Sequence, residues 1–252
     1  MNVFVIILLL GVWVAVAYIV FRLAKLERNL DGMGEALAVK GDAIFAQYEA
    51  LNGLYRDLKF TRSLPPTRGW AASPDFLATV AAHALNQQPD TILECSSGVS
   101  TLVAARCVQL NGHGHVYSLE HDPMYAQQTR AALRRQDLEA WATVLDAPLQ
   151  EYGIAGQPYR WYSLDQLPDL IWDMIVIDGP PHYLGQLVRY PAGPYLFAKL
   201  SPTGTVFMDD ADRHQEQEIV RRWREEFPAM TAEHITCEKG CAKLSIAQNS
   251  LE

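Results

Sequence analysis

From Val3 to Phe21 the chain is apolar without interruption: fourteen of these positions are Val, Ile, Leu or Phe and none is charged. At about −0.3 to −0.6 kcal/mol for each such residue near a bilayer centre, insertion is favourable, and the run is long enough to cross a hydrocarbon core of roughly 30 Å as one helix. Ala15-Val16-Ala17 mimics a signal-peptide cleavage site, but a basic segment ahead of the apolar run is missing. Arg22, Lys25 and Arg28 follow the run instead. The pattern predicts a transmembrane anchor over residues 1–21, with the rest of the chain on the cytoplasmic side by the positive-inside rule. A buried helix of a soluble protein is the bland alternative.

The period then changes. Leu23, Leu26, Leu30, Met33 and Leu37 step by three and four, and Ile44, Leu51 and Leu58 keep the same seven-residue phase. Residues 22–62 therefore predict an amphipathic helix. It acts either as a parallel coiled-coil stalk forming a homodimer through residues 23–58, or as a single helix lying on its own domain or on the membrane surface. Lys40 and Gln47 occupy seam positions, and Gly32, Gly34, Gly41 and Gly53 each cost about 1 kcal/mol of helix relative to Ala, so interruptions are expected. The breaker cluster from Ser63 to Gly69 ends the helix and opens a domain over residues 63–252.

In that domain short apolar runs alternate with segments of helical spacing. Pro74–Leu85 reads as a helix, Thr91–Cys95 as a strand, Ser100–Leu110 as a helix, Val116–Leu119 as a strand and Met124–Arg134 as a helix. Ala142–Leu145, Met174–Ile177 and Thr205–Met208 supply further strands, and a helix starts near Gln215. Ala232–Thr236 and Ala242–Ile246 flank Glu238-Lys239-Gly240 as a hairpin. The alternation predicts an α/β fold: a doubly wound, mostly parallel seven-stranded sheet closed by a C-terminal antiparallel hairpin.

Charge narrows the partners. Residues 61–252 hold 15 basic and 23 acidic side chains, a poor trap for phosphate backbones, so nucleic acid is not an expected partner. Four cysteines in 252 residues are too few for a disulfide-built fold. Cys237 and Cys241 read as free thiols or as a cross-strand pair, since no second pair completes a zinc site. The acids are better placed than the charge total suggests: Glu94, Glu120, Asp146, Asp178 and Asp209 each stand where a strand stops, at the edge where such sheets bind ligands. Five carboxylates facing one crevice repel one another unless a ligand or cation compensates.

The runs ILECSSGVSTLVAA, VYSLEHDP, DAPL, DMIVIDGPP and VFMDDAD, within about Trp70 to Ala247, resemble the class I methyltransferases that use S-adenosylmethionine. The similarity is greatest to the bacterial branch related to metal-dependent O-methyltransferases. It implies a Rossmann-like fold, an oxygen acceptor on a small molecule or a glycan-like chain, and a bacterial source, which makes the membrane of the expected anchor the inner (cytoplasmic) one. In that family an acid-x-Gly-x-Gly turn approaches the methionine part of the cofactor. It maps to Glu94, Ser96 and Gly98, with Ser97 and Ser100 alongside, and Ser96 stands in place of the first glycine. Glu120 matches the acid that binds the ribose hydroxyls, with His121 beside it, and Asp146-Ala147 matches the pair that meets adenine. An NAD-type fold also wants a glycine-rich turn and a later acid, but its third glycine is absent here.

Asp178, Asp209 and Asp210 match the residues that hold a divalent cation in the metal-dependent branch. Hard carboxylate oxygens suit Mg²⁺ or Ca²⁺, which lowers the pKa of the oxygen to be methylated. The alternative is that the aspartate pair caps the following helix. Asp178 and His182 are the expected catalytic residues. His182 would be the general base, because a histidine accepts a proton near neutral pH and the lysine common in related enzymes is missing. His214 reads as part of a helix start, and Trp70 either covers the cofactor cleft or fills core, with core favoured because large aromatics are usually buried. Arg189 pairs either an anionic acceptor or one of the surplus carboxylates. Ser96 and the missing lysine support a rival reading, a non-catalytic membrane scaffold on a methyltransferase-like fold. An NAD-dependent oxidoreductase is a weaker one.

Overall fold

The computed structural model describes residues 2–67 and 69–247. The chain divides into two units, Met1–Ala46 and Gln47–Glu252.

Within the first unit, residues 3–46 are helical, as part of α1 (Val3–Asp57). Among the described residues this is the one helix long and apolar enough to cross a membrane, with a mean hydropathy of 3.0 in its most apolar window. The glycines at 32, 34, 41 and 53 do not interrupt it. No atom lies within 4 Å of a Cβ built on any of them, so they leave packing untouched, and their Leu, Ala and Glu neighbours are strong helix formers. The expected interruptions are thus absent. The seam side chains Leu23, Leu26, Leu30, Met33, Leu37 and Ile44 are all exposed.

In the second unit the last turns of α1 belong to a hydrophobic core. Leu54 and Leu58 are buried there, although the heptad phase had placed Leu58 on a dimer seam. Arg106 secures this end, donating from Nε to the Leu58 carbonyl (2.8 Å) and from Nη2 to that of Lys59 (2.7 Å).

The sheet contains β1 (Thr91–Cys95), β2 (His115–Glu120), β3 (Ala142–Asp146), β6 (Trp172–Ile177), β7 (Leu200–Asp209), β8 (Met230–Ile235) and β9 (Cys241–Ile246). Their order is β3-β2-β1-β6-β7-β9-β8, parallel except where β9 pairs antiparallel with β7 and β8. This is the Rossmann-like, seven-stranded arrangement. Successive side chains of a strand point to opposite faces. Ile92, Val116, Met174 and Val176 therefore join one core with α2 (Pro74–Gln87) and α3 (Val99–Asn111), while Leu93, Leu119, Ile175 and Ile177 join the other with Trp223 of α6 (His214–Glu226). Helix α4 (Pro123–Arg135) starts at Asp122, whose carboxylate accepts the amides of Met124 and Tyr125.

A second sheet was not anticipated: β4 (Leu149–Ile154) and β5 (Gln157–Tyr162) form an antiparallel ribbon turning at Ala155 and Gly156, both with positive φ. A short helix, α5 (Ala192–Leu196), precedes β7.

Candidate active site

The chain reverses strand order between β1 and β6, which leaves a crevice at the carboxyl ends of the strands. A cleft of about 410 Å³ opens there, within the roughly 300–1,000 Å³ usual for small-molecule sites. One wall is the turn after β1. Ser96 (φ +130°) and Gly98 (φ +155°) both lie outside the region comfortable for L side chains, so Ser96 carries strain that the family's glycine would not. A Cβ at Gly98 would meet no protein atom within 4 Å, which leaves the cleft open beside its backbone.

Glu94 lies beneath this turn and does not line the cleft. Its Oε2 accepts the Thr101 hydroxyl (2.5 Å), and Thr101 Oγ1 in turn accepts the Gly98 amide (3.0 Å). Burial pushes the Glu94 carboxyl up to about 7, against hydroxyl donors from Ser100, Thr101 and Ser118. Its role is to hold the turn's shape from below.

Glu120 does face the cleft. Oε2 accepts the Ser97 amide (3.1 Å) and hydroxyl (2.8 Å), and Oε1 accepts the Asp122 amide (3.0 Å). His121 lines the cleft beside it, with Nδ1 3.1 Å from Glu120 Oε1. Tyr125, Gln128, Thr129 and Ala132 of α4 extend this wall. Their spacing of three and four residues is that of one helix face, a signal available in a segment whose sequence reads only as a helix over Met124–Arg134. Asp146 is exposed and paired with Arg130 (2.8 Å), and Ala147 is buried with its amide on the Glu120 carbonyl (2.7 Å). Neither lines the cleft, although Asp146 stands directly across from Glu120 in the β2–β3 register.

The opposite end of the cleft holds the second acidic group. Asp178 follows β6, Asp209 ends β7, and Asp210 adopts a left-handed φ of +61°. One carboxylate oxygen from each lies within 4.8 Å of the others, so the expected triad does converge. Asp178 and Asp210 line the cleft, and Asp209 is fully buried behind them. Burial and the neighbouring Asp209 push the Asp178 carboxyl well above its usual range, with Arg189 opposing. Burial and Asp210 push Asp209 up to about 6.

Arg189, one of the open questions of the sequence, is buried among these acids. Its Nη2 donates to Asp210 Oδ2 (2.7 Å) and to the Asp178 carbonyl (2.5 Å), and lies 3.6 Å from Asp178 Oδ1; Nη1 donates to the Asp209 carbonyl (2.7 Å). Glu216 approaches Nη1 at 3.8 Å. Arg213 pairs Asp210 Oδ2 from the other side at 2.8 Å. A divalent cation can be tested against this donor set. Asp209 Oδ2 and Asp210 Oδ1 are buried without partners, which would suit it. The guanidinium, however, already stands between the Asp178 and Asp210 carboxylates, and its positive charge opposes a second cation there. As folded, the group does not fit an ion.

His182 sits on a single 3-10 turn (His182–Leu184) at the mouth, with its Nδ1 3.4 Å from Arg213 Nη1. Trp70, expected in the core, is 66% exposed and lines the cleft. Its ring lies 5.9 Å from that of His182 and 5.5 Å from that of Tyr183. Tyr162, at the end of the unanticipated ribbon, is a buried part of the lining. All four cysteines are free and buried.

The strand order and the crevice at the strand ends are those of the class I methyltransferase fold. Residues 93–211 match the family model described as "Methyltransferase domain". An O-methyltransferase from Bacillus cereus, solved in complex with SAH, is similar at a TM-score of 0.55 and 17% identity, over 79% of this chain and 91% of that one. The O-methyltransferase TomG from Streptomyces achromogenes, in complex with SAM, is similar at a TM-score of 0.52 and 16% identity, over 81% and 90%. The SAH-bound Podospora anserina methyltransferase PaMTH1 gives 0.54 and 14%, over 79% and 88%. No curated protein matches the chain in sequence.

Proposed function

We propose that this protein is a membrane-anchored methyltransferase that moves a methyl group from S-adenosylmethionine to an oxygen of a small-molecule or glycan-like acceptor. The observation that carries the reading is the pairing of two elements in one cleft: the open backbone turn at Ser96–Gly98, and the Glu120 carboxylate beside it. When bound, S-adenosylmethionine supplies an electrophilic methyl carbon. The turn gives its methionine part close backbone approach, and Glu120 accepts hydrogen bonds from the ribose hydroxyls. His121 and the α4 face bound the adenosine side.

The acceptor enters at the other end, against the Trp70 and Tyr183 rings. With S-adenosylmethionine bound, its methyl group would pass to the acceptor oxygen, leaving the thioether as product, and His182 would be placed to take the acceptor's proton. In-line orientation of the two reactants supplies much of the acceleration. Residues 3–21 of α1 hold the chain in the inner membrane as a single span, and Arg22, Lys25 and Arg28 keep the domain in the cytoplasm. The exposed seam from Leu23 to Ile44 supports a coiled-coil homodimer.

Calorimetric titration of the full chain in detergent micelles with S-adenosylhomocysteine tests this reading. Micromolar binding is expected; a folded protein that does not bind turns the assignment to a non-catalytic membrane scaffold.

A further inference from the structure

We propose that the acidic end of the cleft works without a divalent cation, because the Arg189 guanidinium does the holding that an ion would do. The inference rests on the methyl-transfer reading only for the identity of the cleft, not for the charge arrangement.

Four carboxylates meet here: Asp178, Asp209, Asp210 and Glu216. Three cations face them. Arg189 touches Asp178, Asp210 and Glu216, and Arg213 touches Asp210 and Glu216. Lys239, on the turn before β9, acts on Asp178 and Asp209 through space while donating to the Ala71 carbonyl (3.0 Å). The protein's own side chains thus supply three of the four balancing charges. A divalent ion added to this group would leave it net positive. It would also have to displace a guanidinium that makes three hydrogen bonds of 2.5–2.7 Å from a side chain only 3% exposed.

Position supports the same conclusion. Nη2 bridges the carboxylates at the ends of two neighbouring strands, β6 and β7, and both amino groups clasp the main-chain carbonyls of Asp178 and Asp209. The planar fork fixes direction as well as charge, which a lysine would not reproduce. Arg189 is a positioning residue in this account. It fixes Asp178 and Asp210 along the cleft wall.

The test uses the full chain in detergent, stripped with EDTA and then supplied with Mg²⁺, Ca²⁺ or Mn²⁺, each alone and with S-adenosylhomocysteine. Wild type is expected to show no metal-induced rise in Tm and the same S-adenosylhomocysteine affinity with and without metal. A change of about fivefold or more in that affinity, the lower end of ordinary coupling between two ligands, overturns the proposal. So does a metal-dependent rise in wild-type Tm without ligand. Arg189→Met is expected to gain a metal-induced rise in Tm, and Arg189→Lys to remain indifferent to metal. A folded Arg189→Met protein that ignores metal also overturns it; if that variant does not fold, the wild-type titration decides alone. Failure to bind S-adenosylhomocysteine would sink the methyl-transfer reading and leave the metal arm interpretable by Tm.

Discussion

Glu120 offers the most direct check on the site, because its carboxylate serves both the fold and the proposed ligand. In the folded protein it accepts three hydrogen bonds, from the Ser97 amide and hydroxyl and from the Asp122 amide, and it is only 5% exposed. Its desolvation is therefore already borne by folding, and a ligand gains nearly the full strength of its bonds to this group. Two hydrogen bonds to an ionised acceptor contribute about 1.5–3 kcal/mol each, so their loss costs about 3–6 kcal/mol, or roughly 10² to 10⁴ in Kd. Glu120→Ala should weaken S-adenosylhomocysteine by that factor. The same change leaves the Ser97 amide without its acceptor, at about 1–3 kcal/mol of stability, lowering Tm by several degrees. Glu120→Gln separates the two effects in part: its carbonyl oxygen can still accept from Ser97, while its amide NH2 cannot accept from the Asp122 amide and the charge is gone. It should restore part of the Tm and little of the affinity. Calorimetric titration and thermal unfolding of both variants give the numbers. Wild-type affinity in both would refute the ribose role.

Two further changes probe the scaffold around the turn. Glu94, held up to about 7 by burial against an ordinary 4.5, binds its proton more tightly folded than unfolded. Its contribution to stability is therefore whole below about pH 4.5 and is lost as pH rises toward 7. Glu94→Gln carries no such penalty, so denaturant unfolding should find it close to wild type at pH 4.5 and more stable by up to about 3 kcal/mol at pH 8; a difference that does not change with pH refutes the assignment. A Cβ on Gly179 would stand 2.3 Å from the Tyr162 hydroxyl and 3.2 Å from Ser96 Cβ. Gly179→Ala should cost about 1–3 kcal/mol in thermal unfolding, and adding Tyr162→Phe should recover part of it; a single variant as stable as wild type would show that the contact is slack.

Where an apolar run ends in an acid, the sequence was readable: β1, β2, β3, β6 and β7 appear within a few residues of their expected bounds, because buried parallel strands must be apolar along their length. The β4–β5 ribbon escaped notice for the opposite reason. It is half exposed, and Leu149-Gln150-Glu151-Tyr152 shows no alternation that separates a strand from a loop. Strand-end acids were legible as a set, and Arg189 as a candidate partner for one of them, but not which acids it would join. Arg189 lies 11 positions after Asp178 and 20 before Asp209, and only the folding back of that loop brings its guanidinium between them. Trp70 was misplaced because burial is the usual fate of an indole, and the rim of a cleft is an exception set by tertiary structure.

The end of α1 separates two kinds of boundary. Punctuation in the sequence places the start of the domain at Ser63, where prolines and glycine interrupt the helix. Energetically it begins earlier. Leu54 and Leu58 fill the core beneath α3, and the Leu58 and Lys59 carbonyls are the acceptors for Arg106. A chain shortened to Ser63 would open a cavity where two leucines had packed and strand a guanidinium, whereas one beginning at Gln47 keeps both. The last turns of a helix that begins as a membrane-spanning candidate are thus an inseparable part of the soluble fold, and trimming or grafting this domain must respect packing rather than punctuation.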